Sequence, residues 1–216
     1  NTSYFHIDPT NIDSKVNLKV GKAGNKALQE AKGEYIVRLD SDDWSYPDRI
    51  EKQVKYMDEH PDIVLSSGNM EICDEELKVK NRSNLPTLPE EIMRVLLQYN
   101  PTVHSAMIYK RKEALELGGY SLDAAEDYML VIDMSSKGNL GNLGDVLVKY
   151  RVSNNSVSSQ KAKDMHIATL LCAFKGHLKY GYPITFKTKV ITLARLFIAY
   201  FVPYPIWRYI SSILKK

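Results

Sequence analysis

Residues 35–43 read Tyr35-Ile36-Val37-Arg38-Leu39-Asp40-Ser41-Asp42-Asp43, a short strand of aromatic and β-branched character running straight into an acidic cluster. In open α/β sheets ligands collect beyond the carboxyl ends of strands. Three carboxylates gathered there repel one another unless a cation or hydrogen-bond donors sit among them. Hard divalent ions take oxygen ligands, and Mg²⁺ typically uses one or two carboxylates together with substrate phosphates. The competing reading makes Asp42 and Asp43 acids that favour the N-terminus of the next helix, a role that rarely needs three of them. An EF-hand does not fit. Asp40, Asp42, Asp48 and Glu51 take loop positions 1, 3, 9 and 12, but Trp44 stands at position 5 and Ser45 replaces the required glycine.

Working outward, Lys22–Lys32 has Ala23, Ala27, Leu28 and Ala31 at helical spacing, with Gly33 where a C-terminal glycine belongs. Ser45 is placed to cap a helix with Pro47 in its first turn and Ile50, Val54 and Met57 on one face. Strands are expected at Ser3–Ile7, Ile63–Ser66, Met70–Cys73, Ser105–Tyr109 and Val146–Arg151. Helices are expected at Pro89–Leu97, Ala125–Ser136 and Asp164–Tyr180. Strands alternating with helices predict an α/β fold with a mostly parallel sheet flanked by helices. The expected division is a folded domain over 1–160 and a basic helical appendage over 161–216.

The composition supports a globular core: 216 residues, 44% hydrophobic and 25% charged. Disorder, collagen, coiled coil and a disulfide-stapled mini-protein are excluded. Cys73 and Cys172 stand alone without metal-ligand spacing, so a reducing compartment is expected. Residues 1–164 carry a net −5, whereas residues 165–216 hold eight basic residues and no acid. The longest uncharged run of the tail, Leu196–Trp207, is 12 residues with two prolines, against about 20 apolar residues for a bilayer span. A helix lying on an anionic membrane surface is the expectation, beside the simpler one of a helix packed on the domain. Nucleic acid is not expected as a partner, because the cations are few and their neighbours apolar.

A second acidic pair, Glu126-Asp127, follows the small residues Ala124-Ala125 at a helix entry. The pair suits a first helical turn. It also suits general-base chemistry, in which a carboxylate accepts a proton from a reacting hydroxyl. A glycoside hydrolase also uses two carboxylates but has no use for the upstream acidic cluster.

The chain resembles family 2 glycosyltransferases of the GT-A (Rossmann-like) fold. The likeness is carried by Gly21-Lys-Ala-Gly-Asn25, Ala31-Lys-Gly-Glu-Tyr-Ile36, Leu39-Asp-Ser-Asp-Asp43, Asn100-Pro-Thr-Val-His104, Gly118-Gly-Tyr120, Ala125-Glu-Asp-Tyr128 and Val146-Leu-Val-Lys-Tyr-Arg-Val152, in order, between Lys19 and Ser158. A DxD triplet by itself is weak; the ordered set is specific. The resemblance implies an inverting transferase acting in surface polysaccharide or glycolipid assembly. It implies a nucleotide-sugar donor, a UDP-sugar, bound by Asn25, Asp40 and Asp42, with Asp40 near the ribose. Asp42 would reach a divalent cation, Mn²⁺ or Mg²⁺, that bridges the diphosphate. Asp127 would be the catalytic base and Glu126 its neighbour in the acceptor site. His104 either contacts the acceptor or makes a structural hydrogen bond, and Tyr120 either packs or stacks on a sugar. Asp43 serves either the metal or the helix.

Some positions depart from the family pattern. Gly24 stands where arginine is frequent, Asp133 where arginine is common after the Glu-Asp pair, and Ser153 where a histidine commonly follows. The family's opening strand–helix–strand unit is expected to be missing. The rival from another class is therefore a truncated, non-catalytic, membrane-associated module that keeps the GT-A fold. A nucleotidyltransferase would need a glycine-rich phosphate loop that this sequence lacks. The expected location is the cytoplasm, on the inner face of the cell membrane.

Overall fold

The computed structural model describes residues 19–122, 125–152 and 162–201; the expected strand at Ser3–Ile7 and the tail beyond residue 201 lie outside these. In chain order the elements are α1 (Lys19–Glu30), β1 (Tyr35–Val37), β2 (Trp44–Ser45), α2 (Arg49–Glu59), β3 (Ile63–Cys73), β4 (Val79–Arg82) and α3 (Pro89–Val95). A 3₁₀ turn (His104–Ala106) then leads into β5 (Ile108–Lys110), α4 (Arg111–Glu116), α5 (Glu126–Met134), β6 (Asn139–Arg151), α6 (Ala162–Tyr180) and α7 (Phe186–Phe201).

The strands form one sheet in the order β1-β5-β3-β6-β2, with β4 also on β3. The α/β class holds, but the expectation of a mostly parallel sheet is corrected among the described residues. Only β3 and β6 run parallel; β1–β5, β3–β5, β3–β4 and β2–β6 are antiparallel. Connectivity is the reason. A tight turn at Asp74–Lys78, with Leu77 at φ 61°, sends β4 back along β3. The 3₁₀ turn feeds β5 backwards between β1 and β3. Alternation of strands and helices in a sequence gives their order, not their direction.

β3 and β6 are each longer than expected. β3 is continuous from Ile63 to Cys73 and buried at nearly every position, as befits a strand covered on both faces. β6 spans Asn139–Arg151. The polar residues in their middle knit the sheet to the segments that cross its end. The Asn142 side chain accepts from the Ser67 N–H (3.0 Å) and donates to the carbonyls of Pro86 (2.8 Å) and Pro101 (2.9 Å).

The start of α2 is corrected by three positions, and its buried face by one at two of three places. Ser45 lies in β2, Asp48 is the N-cap, and the buried positions are Arg49, Gln53 and Met57. Helix α5 is buried all round from Tyr128 to Met134, which marks it as the central helix of the fold. α6 packs on it closely: a Cβ added at Gly176 would lie 2.8 Å from Ile132 Cγ2. Cys172 and Ala173 of α6 join the main core with Leu65, Tyr109 and Leu130.

Asp133, only 1% exposed, fixes that docking by accepting from Lys179 Nζ (2.9 Å) and the Tyr180 hydroxyl (2.5 Å). Asp133→Ala leaves both donors without this acceptor and is expected to cost about 1.5–3 kcal/mol, read from urea denaturation. An unchanged midpoint would show that the contact does not hold α6.

Candidate functional site at the end of the sheet

Strands β1 and β2 occupy opposite edges of the sheet, yet only residues 38–43 join them. Four strand spacings amount to about 19 Å in a flat sheet. The connection contains a turn, with the Asp43 N–H bonded to the Asp40 carbonyl at 3.2 Å, so the sheet must curl to bring its edges together. The acidic loop is thereby laid across the strand ends, where a ligand can reach it.

A buried cation holds this crossing. Arg49 is 1% exposed. Its Nη2 donates to the carbonyls of Arg38 (2.7 Å) and Met107 (3.4 Å), and its Nε donates to Gln53 Oε1 (2.8 Å). Gln53 in turn donates to the Ala106 carbonyl at 2.7 Å. Burial pulls the guanidinium down to about 10, which leaves it cationic at neutral pH. One helix face thus clamps the end of β1 to the start of β5.

Above that clamp the three aspartates diverge. Asp40 accepts from Arg38 Nη2 (2.5 Å) and the Ser105 hydroxyl (2.9 Å), and His104 Nδ1 stands 3.6 Å from Oδ2. Burial drives the Asp40 carboxyl up, but His104, Arg38 and Ser105 together outweigh it and hold the group at about 2. Asp43 makes a very short hydrogen bond with Ser105 and accepts from the Arg151 N–H at 2.9 Å. Burial pushes its carboxyl up, and the charges of Asp42 and Asp40 add to the rise. Asp42 is exposed and has no hydrogen bond or ion pair among the described residues.

Ser105 therefore ties Asp40 and Asp43 together from below while Asp42 points to solvent. Arg151 contributes a further donor: its Nε is buried, with no hydrogen-bond partner among the described residues, at the edge of the same loop.

A second cluster gathers around Tyr120. Asn25 commits both polar atoms of its amide to the main chain of Tyr120, accepting from its N–H (2.7 Å) and donating to its carbonyl (2.8 Å). The Tyr120 ring lies over Gly24, where an added Cβ would be 2.7 Å from Cε2. This gives Gly24 a packing reason in this chain. The Tyr120 hydroxyl stands 3.4 Å from both His104 Nε2 and the Tyr109 hydroxyl, and the His104 and Tyr120 rings meet edge to face.

Glu126 and Asp127 open α5 behind Ala125, which sits in the left-handed region at φ 52°. That conformation costs an alanine on the order of 1–2 kcal/mol and turns the first helical residues toward the cluster. Asn100 Nδ2 donates to Asp127 Oδ2 at 2.9 Å, and Asn100 is itself fixed by Thr102 N–H and Oγ1. Burial pushes the Glu126 carboxyl up, with Asp127 and Asp40 adding to the rise against His104. Burial pushes the Tyr120 hydroxyl up, Tyr109 adds to the rise, and the Asp127 charge makes the smallest addition. Asp40, His104, Tyr120, Glu126 and Asp127 thus share one electrostatic neighbourhood. Asn25 reaches that neighbourhood only through Tyr120.

Arg38, Arg49, Ser105 and Asn100 carry much of this geometry, and sequence reasoning gave none of them a role. The spacing of Asn100 and His104 was a usable signal; a serine entering a strand gives no such signal.

Residues 7–118 match the sequence profile of Glycosyl transferase family 2. The chain belongs to that family. Among glycosyltransferase relatives, an uncharacterized glycosyltransferase of Haemophilus influenzae is 33% identical over 147 residues, covering 67% of this chain and 55% of its own. The amylovoran biosynthesis glycosyltransferase AmsE of Erwinia amylovora shows the same identity and the same coverage. The chain spans about half the length of these curated relatives. Of solved structures, the mannosyltransferase PcManGT of Pyrobaculum calidifontis, in complex with GDP-Man and Mn²⁺, superposes with a TM-score of 0.47 at 18% identity. The match covers 87% of this chain and 61% of that one. That likeness is too distant to carry a role over to a residue.

Two predictions follow from the geometry. A carboxyl held below its ordinary 3.8 contributes stability above that pH and loses it as pH falls toward about 2. Arg38→Ala should move Asp40 back toward 3.8 and flatten that acid limb, in a carbon-13 carboxyl titration paired with denaturation at each pH. A wild-type Asp40 that titrates at its ordinary value would contradict the network. Gly24→Ala should cost about 1–3 kcal/mol by displacing the Tyr120 ring; an unchanged denaturation midpoint would show the contact to be slack.

Proposed function

We propose that this chain forms the catalytic region of a glycosyltransferase of surface polysaccharide or glycolipid assembly. It would move a sugar from a UDP-sugar to a hydroxyl of a glycan or lipid-linked acceptor, inverting the anomeric carbon. The division of the carboxylates carries this reading. Asp40 and Asp43 are held by donors of the fold, Asp42 is left facing solvent beside them, and Asp127 stands apart on another element with its own support. A name given for polysaccharide biosynthesis to the relative AmsE agrees with it.

The residues fit a divalent cation of the shared type. Among the described residues no group of three His, Cys, Asp or Glu side chains forms a cage, and a cation that keeps waters and substrate phosphates needs only one or two carboxylates. Asp42 would hold it, and the spare donor at Arg151 suits the anionic diphosphate. When bound, a divalent ion supplies Lewis-acid stabilisation for the departing nucleoside diphosphate. Asp40, fixed by Arg38 and Ser105, lines the ribose side of the donor. Asn25, expected at the donor, has its amide committed to the Tyr120 main chain and so serves by positioning that segment rather than by touching the donor.

On the acceptor side, Asn100 holds Asp127 Oδ2 and leaves Oδ1 without a hydrogen bond among the described residues. As the acceptor oxygen forms its bond to the anomeric carbon, the hydroxyl proton passes to Asp127 Oδ1. The bond from that carbon to the diphosphate oxygen breaks in the same step, and the electron pair leaves with the nucleoside diphosphate. Attack from the opposite face inverts the centre. Glu126 and His104 flank the acceptor, and Tyr120, only 6% exposed within the core, packs rather than stacks on a sugar and serves the acceptor side by holding His104. The location that fits is the cytoplasmic face of the cell membrane, where a lipid-linked acceptor presents its glycan.

Asp127→Asn keeps the shape and removes the proton acceptor, so turnover should fall roughly 10²–10⁴-fold with donor affinity unchanged. Asp42→Asn should weaken metal-dependent nucleotide binding instead. Sugar transfer and nucleotide titration on both variants separate the two roles. Normal transfer by Asp127→Asn, or loss of donor binding in that variant, would overturn the assignment. Failure of the unmodified chain to bind a nucleoside diphosphate with Mn²⁺ would favour the non-catalytic module.

A further inference from the structure

Helices α6 and α7 have apolar residues where a surface helix ordinarily carries polar ones. α6 meets α5 through Gly176, Cys172 and Ala173. Leu171, Phe174 and Leu178 fall on the opposite side of that helix at 3.6 residues per turn, and all three are exposed, Leu178 at 67%. α7 repeats the arrangement. Thr188 is buried, whereas Phe186, at 82% exposure, Val190 and Leu193 lie on the far side. A helix that is apolar on both faces is one that is covered on both faces.

The charge around these stripes selects what covers them. Lys175 and Lys189 are exposed beside the stripes, and residues 165–216 hold eight basic residues without a single acid. A second copy meeting this face about a two-fold axis would set lysine against lysine, because the same patch lies on both sides. A nucleic acid would match the charge but not the leucines and phenylalanines. An anionic lipid interface matches both, since acyl chains take the apolar stripe and headgroups take the lysines. No helix among the described residues is long and apolar enough to cross a membrane, so the helices lie along the surface.

We propose that the outer faces of α6 and α7 together form a docking surface for an anionic bilayer. The region involved therefore begins within α6, well before the tail beyond residue 201. Because α6 is locked to α5 through Asp133 and Gly176, and α5 begins with Glu126 and Asp127, docking fixes the distance of the acceptor-side carboxylates from the lipid. This deepens the proposed transfer to a lipid-linked acceptor and rests on that reading for its purpose, but its test needs no turnover.

The test is co-sedimentation of the whole chain with vesicles of phosphatidylglycerol and phosphatidylcholine, against vesicles of phosphatidylcholine alone. The wild type should bind the anionic vesicles and release with salt. Phe174→Ser/Leu178→Ser/Phe186→Ser/Leu193→Ser should bind roughly 10-fold less or weaker, with its denaturation midpoint kept because these side chains are exposed. Leu178→Ser alone and Lys175→Gln/Lys189→Gln each should show a smaller loss, which keeps the test decisive if the quadruple variant fails to fold. Undiminished binding by the variants, equal binding to neutral vesicles, or a soluble dimer that the variants dissociate would each overturn the proposal. None of these outcomes bears on Asp127, so the transferase reading stands or falls separately.

Discussion

Asp40, Asp42 and Asp43 lie within four residues of one another at a strand end, and their mutual repulsion has to be answered before residues 38–43 can cross the sheet. The fold answers it unequally. Asp40 receives Arg38, Ser105 and the nearby His104; Asp43 receives Ser105 and the main chain of Arg151. A serine hydroxyl has one proton, so Ser105 can donate to only one of its two carboxylates at a time. Asp40 falls because His104 and Arg38 outweigh its burial, whereas Asp43 rises because burial and the charges of Asp42 and Asp40 outweigh what Ser105 and the Arg151 N–H give it. Beneath them the buried Arg49 draws the carbonyls of Arg38 and Met107 together, so that both strand ends are fixed before the loop begins.

What remains is an open carboxylate, Asp42, beside a pre-arranged frame, and that suits the binding of a charged ligand. A carboxylate already satisfied by the protein would have to give up its donors to meet a cation. One that faces water has only its hydration to exchange. The cluster around Tyr120 is built by the opposite means. There Asn25, Gly24 and the Tyr120 main chain hold one aromatic ring against His104, and His104 also stands at Asp40. The two halves of the site therefore meet at His104, and a shift in either one reaches the other through a single ring.

The legible part of the sequence was the part with dense chemical signals. Three acids after a short strand, and a Glu-Asp pair at a helix entry, stood out because ordinary capping does not need them. β3 was read as two strands because Ser66, Ser67 and Asn69 interrupt its apolar run, although all three are buried. β6 was read short because Gly141, Asn142 and Gly144 resemble a turn; Asn142 is instead the residue that ties three segments together. Arg49 was passed over because an arginine in the first turn of an amphipathic helix reads as surface. Its burial depends on the carbonyls of Arg38, just after β1, and Met107, just before β5, which are adjacent only after folding. Strand direction was likewise invisible, since alternation of elements holds no information about which way each one runs. α6 was expected as an appendage, yet one face of it completes the core. A sequence pattern that is apolar on two faces does not reveal which face is turned inward.

The central claim is that Asp42 alone is released for the ligand while Asp40 and Asp43 stay with the fold. The direct measurement is paramagnetic broadening of aspartate carboxyl carbon-13 signals on adding Mn²⁺ with a nucleoside diphosphate, assigned by single Asp→Asn variants. The Asp42 signal should vanish first, at substoichiometric Mn²⁺, while that of Asp133 beneath α6 persists. Loss of Asp127 before Asp42, or an Asp42 signal that survives saturation, would contradict the account.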